Sequence, residues 1–204
     1  MSSSEGGSEP TDTREEIMEA TYRALCEHGY ANLTMQAIAD EFEKTKAVLH
    51  YHYDTKDELL AAFLEHLLDR FTSRLDVDSD DPNARLDALV DELLLGLGDE
   101  RGEDHEFHTA LLELRAQAPH NAAFREQLAA NYDLLLDMLT TIIDDGIEQG
   151  VFHDVDAERL SALIMATMLG GRVHQITLDR EAIALDVREA LEDEILADLR
   201  SEAE

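Results

Sequence analysis

All three lysines of this chain, Lys44, Lys46 and Lys56, lie within one thirteen-residue window. Between Lys44 and Tyr53 no acidic residue occurs, although the 204-residue chain carries 47 aspartates and glutamates. A polyanionic surface has thus been cleared of negative charge at one place, as docking of another polyanion requires. The run from Thr34 to Lys56 also parses into two short helices. Thr34 can N-cap the first, with Ile38 and Phe42 as its inward edge and Ala39 small enough for a second helix to cross closely. Thr45 can N-cap the second, which Leu49 anchors inward. Lys46, Ala47, Val48, His50 and Tyr51 remain for the outer face. Two short helices joined by a tight turn, the second carrying cationic, aromatic and small groups, describe a helix-turn-helix reader of the DNA major groove.

The ordered set Ile38-Ala39, Thr45-Lys46, Leu49-His50-Tyr51-His52-Tyr53, Thr55-Lys56 and Leu59-Leu60 resembles the DNA-binding signature of the TetR family of transcriptional regulators. The likeness spans roughly residues 13–60. Glu43 stands where that signature usually has glycine, Lys44 where it has valine and Asp54 where proline is common. A left-handed Glu43 would cost about 1–2 kcal/mol relative to glycine. By position, the resemblance makes Gln36, Lys46, Val48, His50 and Tyr51 groove-facing. Glutamine can bond adenine bidentately, lysine prefers guanine, and Val48 or Ala47 can pack on a thymine methyl. Lys56 takes the usual phosphate-contact position, with Thr34, Thr45, His52 and Arg14 as further phosphate partners. The competing reading of the His50–Tyr53 run is an aromatic packing face; Tyr53 fits it, and His52 can serve both.

Composition bounds the setting. The formal net charge is −31 and the sequence pI near 4.3, but 44% hydrophobic residues in periodic segments mark a folded chain. Many acids, few lysines and 13 arginines resemble proteins of salt-in halophiles. At molar salt the Debye length falls to about 3 Å, which screens both self-repulsion and repulsion from DNA. The single cysteine, Cys26, allows no intrachain disulfide and reads as a buried structural thiol. No apolar run approaches the roughly 18–20 residues that span a bilayer, and the N-terminus lacks a basic-then-apolar signal pattern, so a cytoplasmic protein is expected.

Helical periodicity continues throughout, and no segment alternates as a strand does. Residues 1–12 form a polar tail. The first helix is expected to be capped by Asp12 or Thr13, to bury Ile17, Ala20, Thr21, Ala24 and Leu25, and to end at Gly29. A long helix from about 56 to 75 presents Leu60, Phe63, Leu64, Leu67, Phe71 and Leu75. Beyond an acidic loop at 76–81, Pro82 opens a helix carrying Leu86, Leu89, Val90, Leu93, Leu94 and Leu97 until Gly98 and Gly102. Further helices follow at about 105–117, ended by Pro119, at 121–149, at 156–178 and at 181–200. That at 121–149 carries Phe124, Leu128, Tyr132, Leu135, Leu139 and Ile142, with Gly150 just past its end. The last carries Ile183, Val187, Leu191, Ile195 and Leu199. The expected fold is all-α with nine helices, matching the TetR-like plan of three plus six: a helix-turn-helix domain over 13–55 and a regulatory, dimerising domain over 56–204. Gly150-Val151-Phe152 followed by Asp156-Ala157-Glu158-Arg159-Leu160 resembles a turn between the family's seventh and eighth helices.

Interior candidates for an effector pocket are Phe63, Leu67, Leu93, Leu97, Phe107, Leu111, Tyr132, Met138, Met165, Met168 and His174; methionines suit an adaptable apolar site. Plain core is the competing reading of such a stripe. His105 and His108 at i, i+3 form part of a metal-ligand set, which lacks a third convergent group. Gly170-Gly171 inside a helix costs about 1 kcal/mol per glycine, which close approach of another helix would explain. A kink is the alternative. The resemblance implies that the last two helices of each subunit pair into a four-helix interface, with Ile183, Val187 and Leu191 beside the glycines. No nucleophile elbow, phosphate loop or complete metal motif points to an enzyme, and no cofactor is expected. The reading is a homodimeric regulator, a repressor released from a pseudo-palindromic double-stranded operator by a small-molecule effector that pivots the fourth helix. Its alternatives are a metal- or redox-responsive regulator using His105 and His108, and a ligand-binding module with a vestigial head.

Overall fold

In the computed structural model the described residues are 10–42, 46–74, 79–95, 105–180 and 182–200. Their elements are α1 (Pro10–Asn32), α2 (Met35–Asp40), α3 (Lys46–His52), α4 (Lys56–Arg74), α5 (Pro82–Leu95), α6 (His105–Gln117), α7 (Ala122–Glu148), α8 (Ala157–Leu178), α9 (Ala182–Leu191), a π-helical turn (Glu192–Leu196) and α10 (Ala197–Leu199). The only strand-like pairing among the described residues is one antiparallel bridge, Phe152 with Arg200. The protein is all-α, and it divides into two compact units. Residues 1–67 with 104–128 form the first, and residues 68–103 with 129–204 form the second. The packing boundary therefore falls inside α4 and again inside α7.

The first unit is built on one apolar core. Ile17, Ala20, Thr21, Ala24 and Leu25 of α1 are all buried, as their spacing predicts. Ile38, Leu49, Leu60, Phe63, Leu114 and Phe124 join them, with Cys26 half-buried against the cluster. Two expectations about α1 change. It starts at Pro10 rather than behind a cap at Asp12 or Thr13, and Thr13 is buried. Proline suits a first turn because its missing N–H has no partner there anyway. Gly29, at φ 65 and ψ 167, breaks the helix without ending it, and one further turn runs to Asn32.

The second unit centres on Leu86, Leu89, Val90, Leu94, Leu139, Ile142, Ile143, Ile164 and Met168. Its starts are set locally. Asp81 Oδ1 accepts from Asn83 N at 3.0 Å ahead of Pro82, and Asp156 Oδ1 accepts from Arg159 N at 3.1 Å at the head of α8. Gly150 has φ 73, the left-handed conformation expected after α7. Tyr132 departs from its predicted stripe: it is 42% exposed and belongs to neither core. It sits on the stretch of α7 just past the point where one unit gives way to the other.

The C-terminal helix also departs from a single regular run. Leu191, Leu196 and Leu199 are buried, whereas Ile195 is only half-buried. Five residues of α-helix turn a side chain about 140° away; a π-helical turn, bonded i to i+5, returns Leu191 and Leu196 to one face. Glu192, the first residue of that turn, accepts from both Arg188 and Arg200. Arg188 also bonds to Asp87 and Asp91 on α5, and Arg200 to Asp87 at 2.6 Å. Two arginines and three carboxylates thus fasten the end of the chain to α5. Burial works against the charge of Arg188, but its bonds to Asp91 and Glu192 outweigh that and raise its pKa above the ordinary value.

Candidate nucleic-acid interface

Thr34 caps α2 as its sequence position predicts: its Oγ1 accepts from Ala37 N at 3.0 Å. Ile38, Ala39 and Phe42 turn inward and are buried. From α1, Arg23 closes the other end of α2. It donates to the Glu41 carbonyl at 2.7 Å and to the Glu41 carboxylate at 3.1 Å. A cation at a helix C-terminus satisfies orphan carbonyls and complements the dipole. Sequence reasoning missed this role, whose one signal was an arginine in a unit short of basic residues.

Helix α3 follows after residues 43–45. Those residues lie outside the described ones, as do the Lys46 side chain and hence the Thr45 cap and the Glu43 turn geometry. Leu49 is fully buried and anchors α3, while Val48 packs half-buried on the same core. Ala47 and His50 are exposed, and Tyr51 stands out at 85% exposure. The Tyr51 ring meets His52 edge-to-face, with centroids 5.3 Å apart and planes at 89°. Tyr53 is buried, as its packing role predicts. Burial raises the pKa of its phenol despite the opposing pull of Arg14. One helix of about 10 Å thus presents a small residue, an imidazole and a phenol outward. That set suits a major groove about 12 Å wide.

Besides Thr34, three of the residues read as DNA contacts are already engaged within the unit. Gln36 Nε2 donates to Asp40 Oδ1 at 2.7 Å, which leaves its carbonyl and one N–H for a base edge. Arg14 pairs with Glu65 at 2.9 Å, both about half exposed. Lys56 donates from Nζ to the Leu33 carbonyl at 3.0 Å and lies 4.5 Å from the centre of the Tyr30 ring. An ammonium held this way stabilises the head whether or not it also meets a phosphate.

The chain matches the family described as bacterial regulatory proteins of the tetR family over residues 17–63. It matches the BetI-type transcriptional repressor C-terminal family over residues 82–200. It belongs to the TetR family. A TetR transcription regulator from Haloarcula marismortui is 45% identical to it, with a TM-score of 0.85 over 93% of this chain and 100% of that one. A transcriptional regulator from Saccharomonospora viridis, solved in complex with choline, is 25% identical, with a TM-score of 0.73 over 90% and 97%. The transcriptional repressor SCO4008 of Streptomyces coelicolor is 28% identical over 168 residues, 78% of this chain and 77% of the relative. As a TetR-family member the chain is a DNA-binding transcriptional regulator, and α2 with α3 is its helix-turn-helix.

The residues suggested for an effector pocket of this TetR regulator divide between the units. Phe63, Leu67 and Leu111 belong to the core of the first, whereas Leu93, Met165 and Met168 belong to that of the second. Met138 is half-buried on α7, and Tyr132 and His174 are exposed. Leu97 and the Phe107 side chain lie outside the described residues, as does the side chain of His105. Among the described residues no group of three or more His, Cys, Asp or Glu could hold a metal ion. No described helix is long and apolar enough to cross a membrane.

The two glycines of α8 differ. A Cβ on Gly171 would meet the Val187 side chain at 3.1 Å, so its close neighbour is α9 of the same chain. A Cβ on Gly170 would meet nothing within 4 Å. Of the other residues suggested for the dimer interface, Leu191 is buried in the second unit's core, and Ile183 and Val187 are half-buried.

Proposed function

We propose that this TetR-family chain is a homodimeric repressor, released from a pseudo-palindromic operator by a small organic effector. The observation that carries the DNA part is an exposed α3 face bearing Tyr51 and His50, in an acid-free run within the window that holds all three lysines of the chain. Gln36, Lys46, Ala47, Val48, His50 and Tyr51 are assigned to the groove. Thr34, Thr45, His52, Arg14 and Lys56 are assigned to the backbone, the last two alongside their internal bonds. Dimerisation is supported by Leu163, Leu169 and Leu178 on α8 and Leu185 on α9. Each is 42–56% exposed, in a chain whose surface is otherwise strongly acidic. The open side of Gly170 lies on the same helix as the first three.

Selection of bound sequences from random DNA in molar KCl tests the reading. It should return two inverted half-sites about 34–36 Å apart, or a multiple of that spacing. Enrichment of no sequence by a folded dimer would overturn the assignment and favour a ligand-binding module with a vestigial head. For the effector, choline is the first compound to try, since the Saccharomonospora viridis neighbour holds it. Apolar organic compounds come next, with divalent cations as the contrasting arm of the same thermal-shift screen. A ligand that releases operator must bind the two states of the protein with different affinity.

A further inference from the structure

The break in α1 at Gly29 removes the helical partner of the next amide, and an unpaired N–H at a packed surface is costly. The partner that replaces it comes from far along the chain. Tyr30 N–H donates to Glu113 Oε2 of α6 at 2.8 Å, across 83 residues of sequence. The Glu113 carboxylate also lies where a Cβ on residue 29 would meet it at 3.4 Å. Position 29 thus answers to one demand, its positive φ, since a Cβ there would meet this oxygen only at ordinary contact distance.

The same short segment is held from two other helices. The Lys56 ammonium of α4 bonds to the Leu33 carbonyl and stacks over the Tyr30 ring. Phe124 of α7 meets that ring edge-on, with centroids 6.2 Å apart and planes at 76°. Desolvation, with the charge of Asp57 adding to it, pushes the Tyr30 phenol above its ordinary pKa. Asp57 is itself tied to Asn121, at the head of α7, by a 2.8 Å bond. Helices α4, α6 and α7 therefore converge on residues 29–33, from which the backbone passes directly to the Thr34 cap of α2.

We propose that Glu113 is a positioning residue of the DNA reader. From α6 it holds the peptide that follows the Gly29 break, and so sets the direction in which the chain leaves α1 for α2. Its carboxylate touches no DNA; it acts through the backbone of Tyr30. The proposal rests on the DNA-reading assignment of α2 and α3. Because Glu113 belongs to a helix remote in sequence from the reader, it gives that helix a direct mechanical hold on the head.

The test compares Glu113→Ala with Glu113→Gln in the full chain at molar KCl. Amide exchange at Tyr30, helicity, association state and operator affinity are measured for each. Glutamine keeps a carbonyl acceptor, whereas alanine keeps none. Glu113→Ala should lose protection at Tyr30 and bind operator about tenfold more weakly, the scale of one charge-assisted hydrogen bond. Glu113→Gln should recover most of both. If alanine lowers helicity, Glu113→Leu, which keeps most of the side-chain volume, carries the same comparison. Unchanged protection at Tyr30 would overturn the bond, and lost protection with parental operator affinity would overturn the positioning role. A parent protein that selects no DNA sequence, with its Tyr30 amide protected, would instead remove the DNA assignment and the proposal with it.

Discussion

Two pairs of arginines, one pair from each compact unit, are held in opposite ways. In the first, Arg14 and Arg23 each form an ion pair with one glutamate, their side chains 53% and 48% exposed. In the second, Arg188 and Arg200 are only 18% and 25% exposed and share Asp87 and Glu192, with Asp91 bound to Arg188 alone. An exposed pair exchanges water for a partner at little net gain, whereas removing one member of a buried network leaves its partners charged and unmatched. Around α2 and α4 the ion pairs are single and exposed; near the end of the chain the arginines and carboxylates form one shared fastening.

The most direct way to break this comparison is to remove one arginine from each unit. Arg188→Met should lower stability by about 3 kcal/mol, toward the low end for a broken buried pair because its carboxylates stay partly hydrated. Arg14→Met should cost less than about 1 kcal/mol. Urea unfolding at fixed molar salt reads both, and equal losses would remove the distinction.

The glycines of α8 sharpen the comparison inside the second unit. Gly171→Leu should destabilise the subunit itself by about 1–3 kcal/mol through overpacking against Val187. Gly170→Leu should leave helicity intact and weaken self-association, which light scattering over a dilution series would detect. Dissociation by Gly171→Leu alone, with parental subunit stability, would reverse the assignment.

In the first unit, Tyr51→Ala should weaken binding to the selected operator by about 1–3 kcal/mol and relax preference at its contacted bases. Because Tyr51 is the most exposed large apolar residue described, unfolding should be nearly unchanged. Parental operator affinity in a competition assay would exclude it from the groove.

The smallest expected change is the response to salt. From Thr13 to Leu60 the sequence carries five bases, Arg14, Arg23, Lys44, Lys46 and Lys56, against ten acids. With Arg14 and Arg23 internally paired, few cations remain to release counterions from DNA, and the slope of about −0.9 per neutralised phosphate has little to act on. Operator affinity should hold or rise between about 0.5 and 2 M KCl, as the Debye length shrinks toward 3 Å. A steep fall for a dimer whose circular dichroism is unchanged would contradict this.

Much of the fold was legible because its signals are local. The Thr34 cap, Pro82 at a helix start, Gly150 beyond a helix end and the buried face of α1 depend on neighbours within a few residues. The same holds for the helix-turn-helix, whose Ile38, Leu49 and Tyr53 fall inward as their spacing requires. The less legible features each depended on a partner distant in sequence. Nothing near Lys56 announces the Leu33 carbonyl, and nothing near Gly171 announces Val187. Tyr132 follows the helical period faithfully, yet its stripe leaves one core before reaching the other.

The amino-acid sequence alone determined that this chain is all-α, that Thr34 to Lys56 forms a DNA reader, and that an acidic surface was cleared there, since periodicity, capping and charge are properties of adjacent residues. Only the tertiary structure decided which side chains are free to act. It engaged Arg14 and Lys56 within the head, wound the last helix through a π-helical turn to satisfy Leu196 and Glu192, and brought Glu113 to the break at Gly29. Those outcomes follow from distances between groups far apart along the chain, which burial and hydrogen bonding settle only when all the helices pack together.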